Sequence, residues 1–299
     1  MKFQRLTYKA IVINVFRDDL KHDIISGNKL HKLAPNLELA RNKNCSAVLS
    51  FGGAYSNHLH ALAWACKEAG FKSIGVVRGE LHSNLTPTLQ DCQRWGMQLI
   101  PSQRKDYRAY QQALTDHNTC YFSGQLTFPI FSDLPKDTLV IPEGGSNLMA
   151  IKSVSDAYRG VFKAIASEGI SHAICATGTG ATLAGLYLAA PKQVKVIGVQ
   201  AVAEGQATLD RIQNWLNEKP VNLSLLQGHW GGFGKIPLKL LDFIEEFETT
   251  YKIPLDPVYN GKAMFKIVEM INAGHFKSGD KILFVHTGGL QGKKRKADD

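Results

Sequence analysis

The chain has little cysteine: five residues in 299 (Cys45, Cys66, Cys92, Cys120 and Cys175), odd in number, scattered, and never spaced CxxC. That excludes a disulfide framework and a zinc site and leaves reduced, mostly packed thiols. No apolar run approaches the length that spans a bilayer, so no membrane partner is expected. The strand-like run Ala10 to Phe16 is followed by no small-residue cleavage site, so no signal peptide is read and a cytoplasmic location is expected. Without a secretory route, the glycosylation-type triplets Asn84-Leu85-Thr86 and Asn222-Leu223-Ser224 carry no weight. Internal repeats and low-complexity tracts are absent too. Acidic residues are the minority, 26 against 35 Lys and Arg, for a net charge of +9. The basic residues are nonetheless dispersed outside the tail Lys293-Lys294-Arg295-Lys296, so no nucleic-acid partner is expected. A general positive field suits small anionic ligands instead.

What is present is ordinary for an enzyme-sized globular chain: 44% hydrophobic, 20% charged, 27 glycines, enough length for one or two domains. Short Val/Ile-rich runs alternate with helical patterns. Ala47 to Ser50 precedes a helix over about Asn57 to Ala69, and Ser73 to Val77 precedes one over about Leu85 to Trp95. Met97 to Ile100 and Thr138 to Pro142 continue the beat, as do His172 to Ala176, Val194 to Val199 and Lys281 to Val285. Continuous apolar strands between helices predict an α/β fold whose parallel sheet is covered on both faces. Thr119 to Lys136 and the glycine-rich Gly228 to Lys235, between Pro220 and Pro237, break the rhythm and read as irregular connections.

Several strand ends run into glycine-rich turns, which is where open α/β sheets bind ligands. Thr177-Gly178-Thr179-Gly180-Ala181-Thr182 opens a helix with glycines, hydroxyls and free N–H groups. It lacks the lysine of a P-loop, and Leu183 stands where GxGxxG needs its third glycine, so the alternatives are a tight turn and a cup for a single phosphate. Gly52-Gly53-Ala54-Tyr55-Ser56-Asn57 has the same grammar; Ser56 can cap the helix while its N–H groups take a carboxylate. His58 and His60, two apart, are poor metal geometry and read as polar or packing residues. Pro142-Glu143-Gly144-Gly145-Ser146-Asn147, Asp256-Pro257-Val258-Tyr259-Asn260 and Val285-His286-Thr287-Gly288-Gly289 complete the set. On their own, Tyr259 is a core aromatic and His286 a satisfied buried group. Early in the chain, Ser26-Gly27-Asn28-Lys29-Leu30-His31-Lys32-Leu33 places lysines beside an apolar run, as an imine-forming site requires.

Taken in order, these segments resemble the fold type II pyridoxal-phosphate enzymes, in the branch containing 1-aminocyclopropane-1-carboxylate (ACC) deaminase and D-cysteine desulfhydrase. The resemblance spans about Arg17 to Gly289. It implies two open, mainly parallel sheets flanked by helices, as in the tryptophan synthase β subunit. It also implies a larger domain (1–32 and 144–299), a smaller inserted one (33–143), and pyridoxal 5'-phosphate in the cleft between them. By that resemblance Lys32, and not Lys29, forms the imine with the cofactor. Thr177, Gly178, Thr179, Gly180, Ala181 and Thr182 take the phosphate, Asn57 lies beside the phenolic oxygen, and Thr287 beside the ring nitrogen. The substrate, a small amino acid, is expected at Ser56, Asn57, His58 and Tyr259, with Lys32, Ser56 and Tyr259 catalytic, in a homodimer.

Departures from the family pattern bear on specificity. His31 stands where the motif has Arg, Phe233 where a Tyr is usual, and both termini are short for the family, which concerns the rim of the site. ACC deaminases resemble Tyr-Glu-Gly and His-Leu-Gly-Gly at two motifs where this chain has Asn260 and Thr287. A carboxylate near the pyridine nitrogen keeps it protonated, whereas a neutral group does not. The resemblance therefore leans towards β-elimination from D-cysteine or a related amino acid, giving keto acid and ammonia. ACC deamination is the alternative, and a PLP-binding carrier or regulator with little catalysis a further one, against which Lys32, Ser56 and Tyr259 speak.

Overall fold

Runs that are apolar at every position make strands buried on both faces, and the chain builds two sheets from them. The computed structural model describes residues 1–115, 121–232 and 234–296; Thr119, Cys120 and Phe233 lie outside these. From the N-terminus, β1 (Phe3–Tyr8) and β2 (Ile11–Phe16) are followed by α1 (Asn28–Asn42), β3 (Ala47–Gly52), α2 (Asn57–Ala69) and β4 (Lys72–Arg78). Next come α3 (Pro87–Arg94), β5 (Gln98–Ser102), α4 (Arg104–Thr115), β6 (Tyr121–Phe122), β7 (Leu139–Val140) and α5 (Leu148–Ala164). The last part holds β8 (His172–Thr177), α6 (Ala181–Ala189), β9 (Lys195–Gln200), α7 (Gln206–Leu216), β10 (Leu223–Gln227), α8 (Leu238–Tyr251), α9 (Asn260–Asn272) and β11 (Lys281–Val285).

The chain divides into two units, one of Met1–Asn28 with Val154 onward, the other Lys29–Ser153. Sequence motifs put the divisions after residues 32 and 143, but the structure's divisions fall at the start of α1 and within α5. Lys32 is part of the α1 helix and belongs to the smaller unit. The larger unit has one sheet in the order β1-β2-β11-β8-β9-β10, parallel except for the β1–β2 hairpin. The smaller unit's sheet is ordered β5-β4-β3-β7-β6, parallel except for β6–β7.

Each sheet is covered on both faces, and glycines show how. Ile197 and Val199 pack with residues of α8 and α9 such as Leu240, Ile244, Met264 and Ile267. Gly198 between them points the other way, where an added Cβ would lie 2.4 Å from Leu183 of α6. In the smaller unit Leu49, Phe51, Ile74 and Val76 meet Tyr107, Tyr110 and Leu114 of α4. On the reverse face a Cβ at Gly75 would touch Leu59 of α2. Each large apolar side chain fully buried in such a layer contributes about 1.5–3 kcal/mol.

One stretch read as irregular, Thr119 to Lys136, holds more order than expected. β10, just ahead of the irregular Gly228 to Lys235, is an edge strand with alternating half-burial, so its sequence lacks the continuous apolar run of its neighbours. Between Thr119 and Lys136 the described residues include β6 and two short 3-10 turns. No helix among the described residues is long and apolar enough to cross a membrane, and no cluster of His, Cys, Asp and Glu there could hold a metal ion.

Candidate active site

In the smaller unit the site begins with Lys32 on the second turn of α1, only 3% exposed. A bare buried ammonium is costly, and this one donates to Gly144 O (2.9 Å) and Ser146 Oγ (3.4 Å). Asn36, one turn later and fully buried, donates to Lys32 O (2.7 Å) and accepts from Asn147 Nδ2 (2.7 Å). Asn147 in turn accepts from Ala150 N at the start of α5. Amides thus fasten the lysine's turn to the Gly144–Asn147 loop. Asn36 has no motif of its own to single it out, because a lone Asn on a helix carries no distinguishing sequence signal, whereas Ser146 lies in the Pro142 to Asn147 turn.

The β3-to-α2 turn is built as its spacing predicts. Ser56 caps α2, accepting from Leu59 N at 3.2 Å, and a Cβ at Gly52 would come within 2.4 Å of Ser56 Oγ. Asn57 and His58 open the helix, and His58 is buried, its Nε2 2.8 Å from Ser50 Oγ. Burial, reinforced by the positive charges of Lys29 and Lys32, holds the His58 imidazole well below its ordinary pKa, so it is neutral.

In the larger unit β8 ends at Thr177 and α6 starts at Ala181, with Gly180 in the left-handed region at φ 100°. Ala181, Thr182 and Leu183 are buried, yet this helix start has no side-chain cap. Buried N–H groups without a cap need another partner. The threonines differ in role. Thr177 Oγ1 is buried beside Gly198 of β9, and Thr177 O accepts from Ala201 N at 2.9 Å. Thr182 Oγ1 accepts from Asn28 Nδ2 at 2.7 Å, and Thr179 O accepts from Arg211 Nη1 of α7 at 2.9 Å. Arg211 was invisible as a site residue in the sequence, lying in a helix that carries no motif. Gly178 faces the Tyr259 ring, its would-be Cβ 3.4 Å from Cε1, so Tyr259 is brought to the loop.

Asn260 is the centre of a buried knot. The Asp256 carboxylate caps the start of α9, accepting from Val258 N, Tyr259 N and Asn260 N at 2.7–3.0 Å. Asn260 Nδ2 donates to Asp256 Oδ1 (2.8 Å) and Gly288 O (2.7 Å), and both of these partners only accept, which fixes the amide's orientation. Its Oδ1 then receives Thr287 N (3.0 Å) and Thr287 Oγ1 (3.2 Å). The Thr287 hydroxyl hydrogen, expected on a ring nitrogen, is committed to Asn260, and lone pairs of Oγ1 are what it offers outward. Gly27 lies against the same strand end. At φ +64°, its would-be Cβ is 2.1 Å from Thr287 O.

These groups can be set beside known proteins. The chain is 28% identical over 304 residues to the Pyrococcus abyssi protein named "Putative 1-aminocyclopropane-1-carboxylate deaminase", covering 95% of this chain and 86% of that one. It is 26% identical to the mitochondrial bifunctional D-cysteine desulfhydrase/1-aminocyclopropane-1-carboxylate deaminase of Arabidopsis thaliana, over 94% of this chain and 73% of the other. Among solved structures, an ACC deaminase homologue superposes with TM-score 0.80 at 25% identity, covering 98% of this chain and 90% of that one. The residues present fit pyridoxal phosphate: a buried lysine amine for an aldehyde, and an uncapped buried helix start for a phosphate. The pyridoxal-phosphate dependent enzyme family matches residues 15–288, and the chain belongs to that family.

Proposed function

We propose that the protein is a lyase or deaminase of small amino acids, most suited to β-elimination from D-cysteine or a similarly β-substituted amino acid, with release of a keto acid and ammonia. When bound, pyridoxal phosphate supplies an electron sink that acidifies the substrate's Cα–H. Lys32 Nζ would hold the cofactor and move the Cα proton of the substrate, with Gly144 O and Ser146 Oγ orienting the amine. The turn at Ser56, Asn57 and His58 would hold the substrate carboxylate at the start of α2, and Asn57 would hold the cofactor's phenolic oxygen. Backbone N–H groups from Gly178 to Thr182 take the phosphate, while Tyr259, packed on Gly178, sits next to the reacting part.

The observation that supports the choice of elimination is the pair Asn260 and Thr287, an amide and a hydroxyl at the two positions where ring opening is expected to want a carboxylate. Departure of a thiol requires less of the electron sink. ACC deamination is the second reading, favoured by the names of the relatives. Buried thiols at Cys66 and Cys92 suit a reducing cytoplasm, and a homodimer is the proposed assembly.

The test has two parts. Borohydride reduction of the holoenzyme followed by peptide mapping is expected to put the adduct on Lys32; an adduct on Lys29 overturns the assignment. A side-by-side screen of D- and L-amino acids and ACC for keto-acid release is expected to rank a β-substituted amino acid above ACC. A higher kcat/KM for ACC than for every such substrate overturns the preference.

A further inference from the structure

Ser50, fully buried on β3, has its Oγ 2.8 Å from Ile141 O, 3.3 Å from Pro142 O and 2.8 Å from His58 Nε2. Carbonyl oxygens only accept, so the one hydroxyl hydrogen of Ser50 goes to Ile141 O. The bond to His58 must then run the other way, with Nε2–H donating to Ser50 Oγ. This defines the tautomer: the hydrogen is on Nε2 and Nδ1 carries a lone pair. Burial and the charges of Lys29 and Lys32 keep a second proton off the ring.

Nδ1 is buried and has no hydrogen-bond partner among the described residues. Leaving a buried acceptor unmet costs about 1–3 kcal/mol, so a group kept in that condition calls for a partner that arrives later. The space beside it is held open by a glycine. A Cβ at Gly145 would stand 3.1 Å from His58 Cε1, 3.4 Å from Nδ1 and 3.4 Å from Lys32 Cβ. The ring edge carrying the bare lone pair therefore lies by the same glycine as the lysine stem, within one unit of the chain.

We propose that Ser50 is a positioning residue that locks His58 as the Nε2–H tautomer, so that Nδ1 accepts a hydrogen from the bound substrate. The inference rests on the reading that substrate binds beside Lys32. The matching ligand chemistry is an N–H or S–H donor of a small amino acid, from its amine or from its β-substituent. A substrate offering only acceptors at that point meets a lone pair facing a lone pair. Ser50 does not touch the substrate; its effect passes through the imidazole, as the partner of a ligating histidine fixes that ring's tautomer.

The test uses holoenzyme labelled with ¹⁵N-histidine, with the His58 signals assigned by loss in His58→Gln. Nitrogen shifts in the wild type are expected to show a protonated Nε2 and a bare Nδ1, with Nδ1 moving on addition of substrate. In Ser50→Ala the signals are expected to show a tautomer mixture, with kcat/KM down about tenfold or more, the worth of one misplaced hydrogen bond. Ser50→Thr, which keeps the hydroxyl, is expected to restore both. D-cysteine and β-chloro-D-alanine separate the two donors: a loss confined to D-cysteine assigns Nδ1 to the thiol, and an equal loss on both assigns it to the amine. A wild-type His58 with hydrogen on Nδ1, or a folded Ser50→Ala with unchanged tautomer and kinetics, overturns the proposal. The nitrogen shifts are read without turnover, so an error in the substrate assignment leaves this test standing, and the Lys32 adduct map reports on that assignment separately.

Discussion

Asn260 shows how much one side chain's surroundings change what its substitution means. From the sequence, Asn260→Glu looks like a way to supply the carboxylate that ring opening is expected to want. In the fold it removes the two donors to Asp256 Oδ1 and Gly288 O and sets a second carboxylate against a buried first one. The expected result is a loss of about 3 kcal/mol or more in stability, with no gain of ACC turnover, measured by denaturant midpoint alongside keto-acid release. Retained stability with faster ACC turnover would show that the knot tolerates a second charge. Gly27 is less forgiving still. Gly27→Ala drives a methyl into Thr287 O at a left-handed φ, and upwards of about 4 kcal/mol is expected, read by thermal unfolding. Lys32, Ser56, Asn57 and Tyr259 are singled out in the sequence because their neighbours form ordered motifs. Asn36 and Arg211 are not, since an isolated polar residue shows its value only once a fold sets a partner beside it.

At the scale of elements, the turn between β8 and α6 is the most exposed to test. Gly178→Ala adds a methyl at ordinary contact distance from Tyr259, whereas Gly178→Val adds branches that must push the ring or fill the approach to the helix start. Expected is near-normal cofactor retention for the alanine variant and a clear loss for the valine variant, followed by dialysis and absorbance. Equal retention by a folded Gly178→Val would mean that phosphate does not bind there. Gly180→Ala forces a non-glycine residue to φ 100° and brings a methyl to 3.1 Å from Ile212, at an expected cost of about 1–3 kcal/mol. Buried parallel strands announced themselves as unbroken Val/Ile runs. β1 and β10 did not, because each is an edge strand that alternates or mixes polar residues and carries its signal in pairing rather than composition. Helices α7 and α8 were not expected from the sequence.

Over the whole molecule, the buried thiols give a pH signature. Burial, aided at Cys92 by the nearby Asp91 charge, pushes Cys66 and Cys92 up to about 12 from the ordinary thiol value of 9.0. The folded state then holds protons that the unfolded chain has already lost. Stability from these groups is complete below pH 9 and falls as pH rises towards 12, by roughly 1.4 kcal/mol per pH unit per thiol. Unfolding scans from pH 8 to 11 on wild type and Cys66→Ala/Cys92→Ala check this; an equally steep decline in the double variant rejects it.

The strand order of the larger sheet has a consequence for synthesis on the ribosome. The smaller unit is one unbroken stretch whose strands are all made by Val140. The larger sheet is different, because β11 pairs on one side with β2 and on the other with β8, and it is the last strand to be translated. Until Lys281–Val285 emerges, the hairpin made first and the β8–β9–β10 ladder made later have no strand to join them. Vectorial folding of this chain therefore finishes one sheet early and leaves two open strand edges of the other waiting for Lys281–Val285. Those edges make the nascent chain a client for holding chaperones, and any truncation ahead of Lys281 is expected to yield aggregate in place of a smaller folded protein.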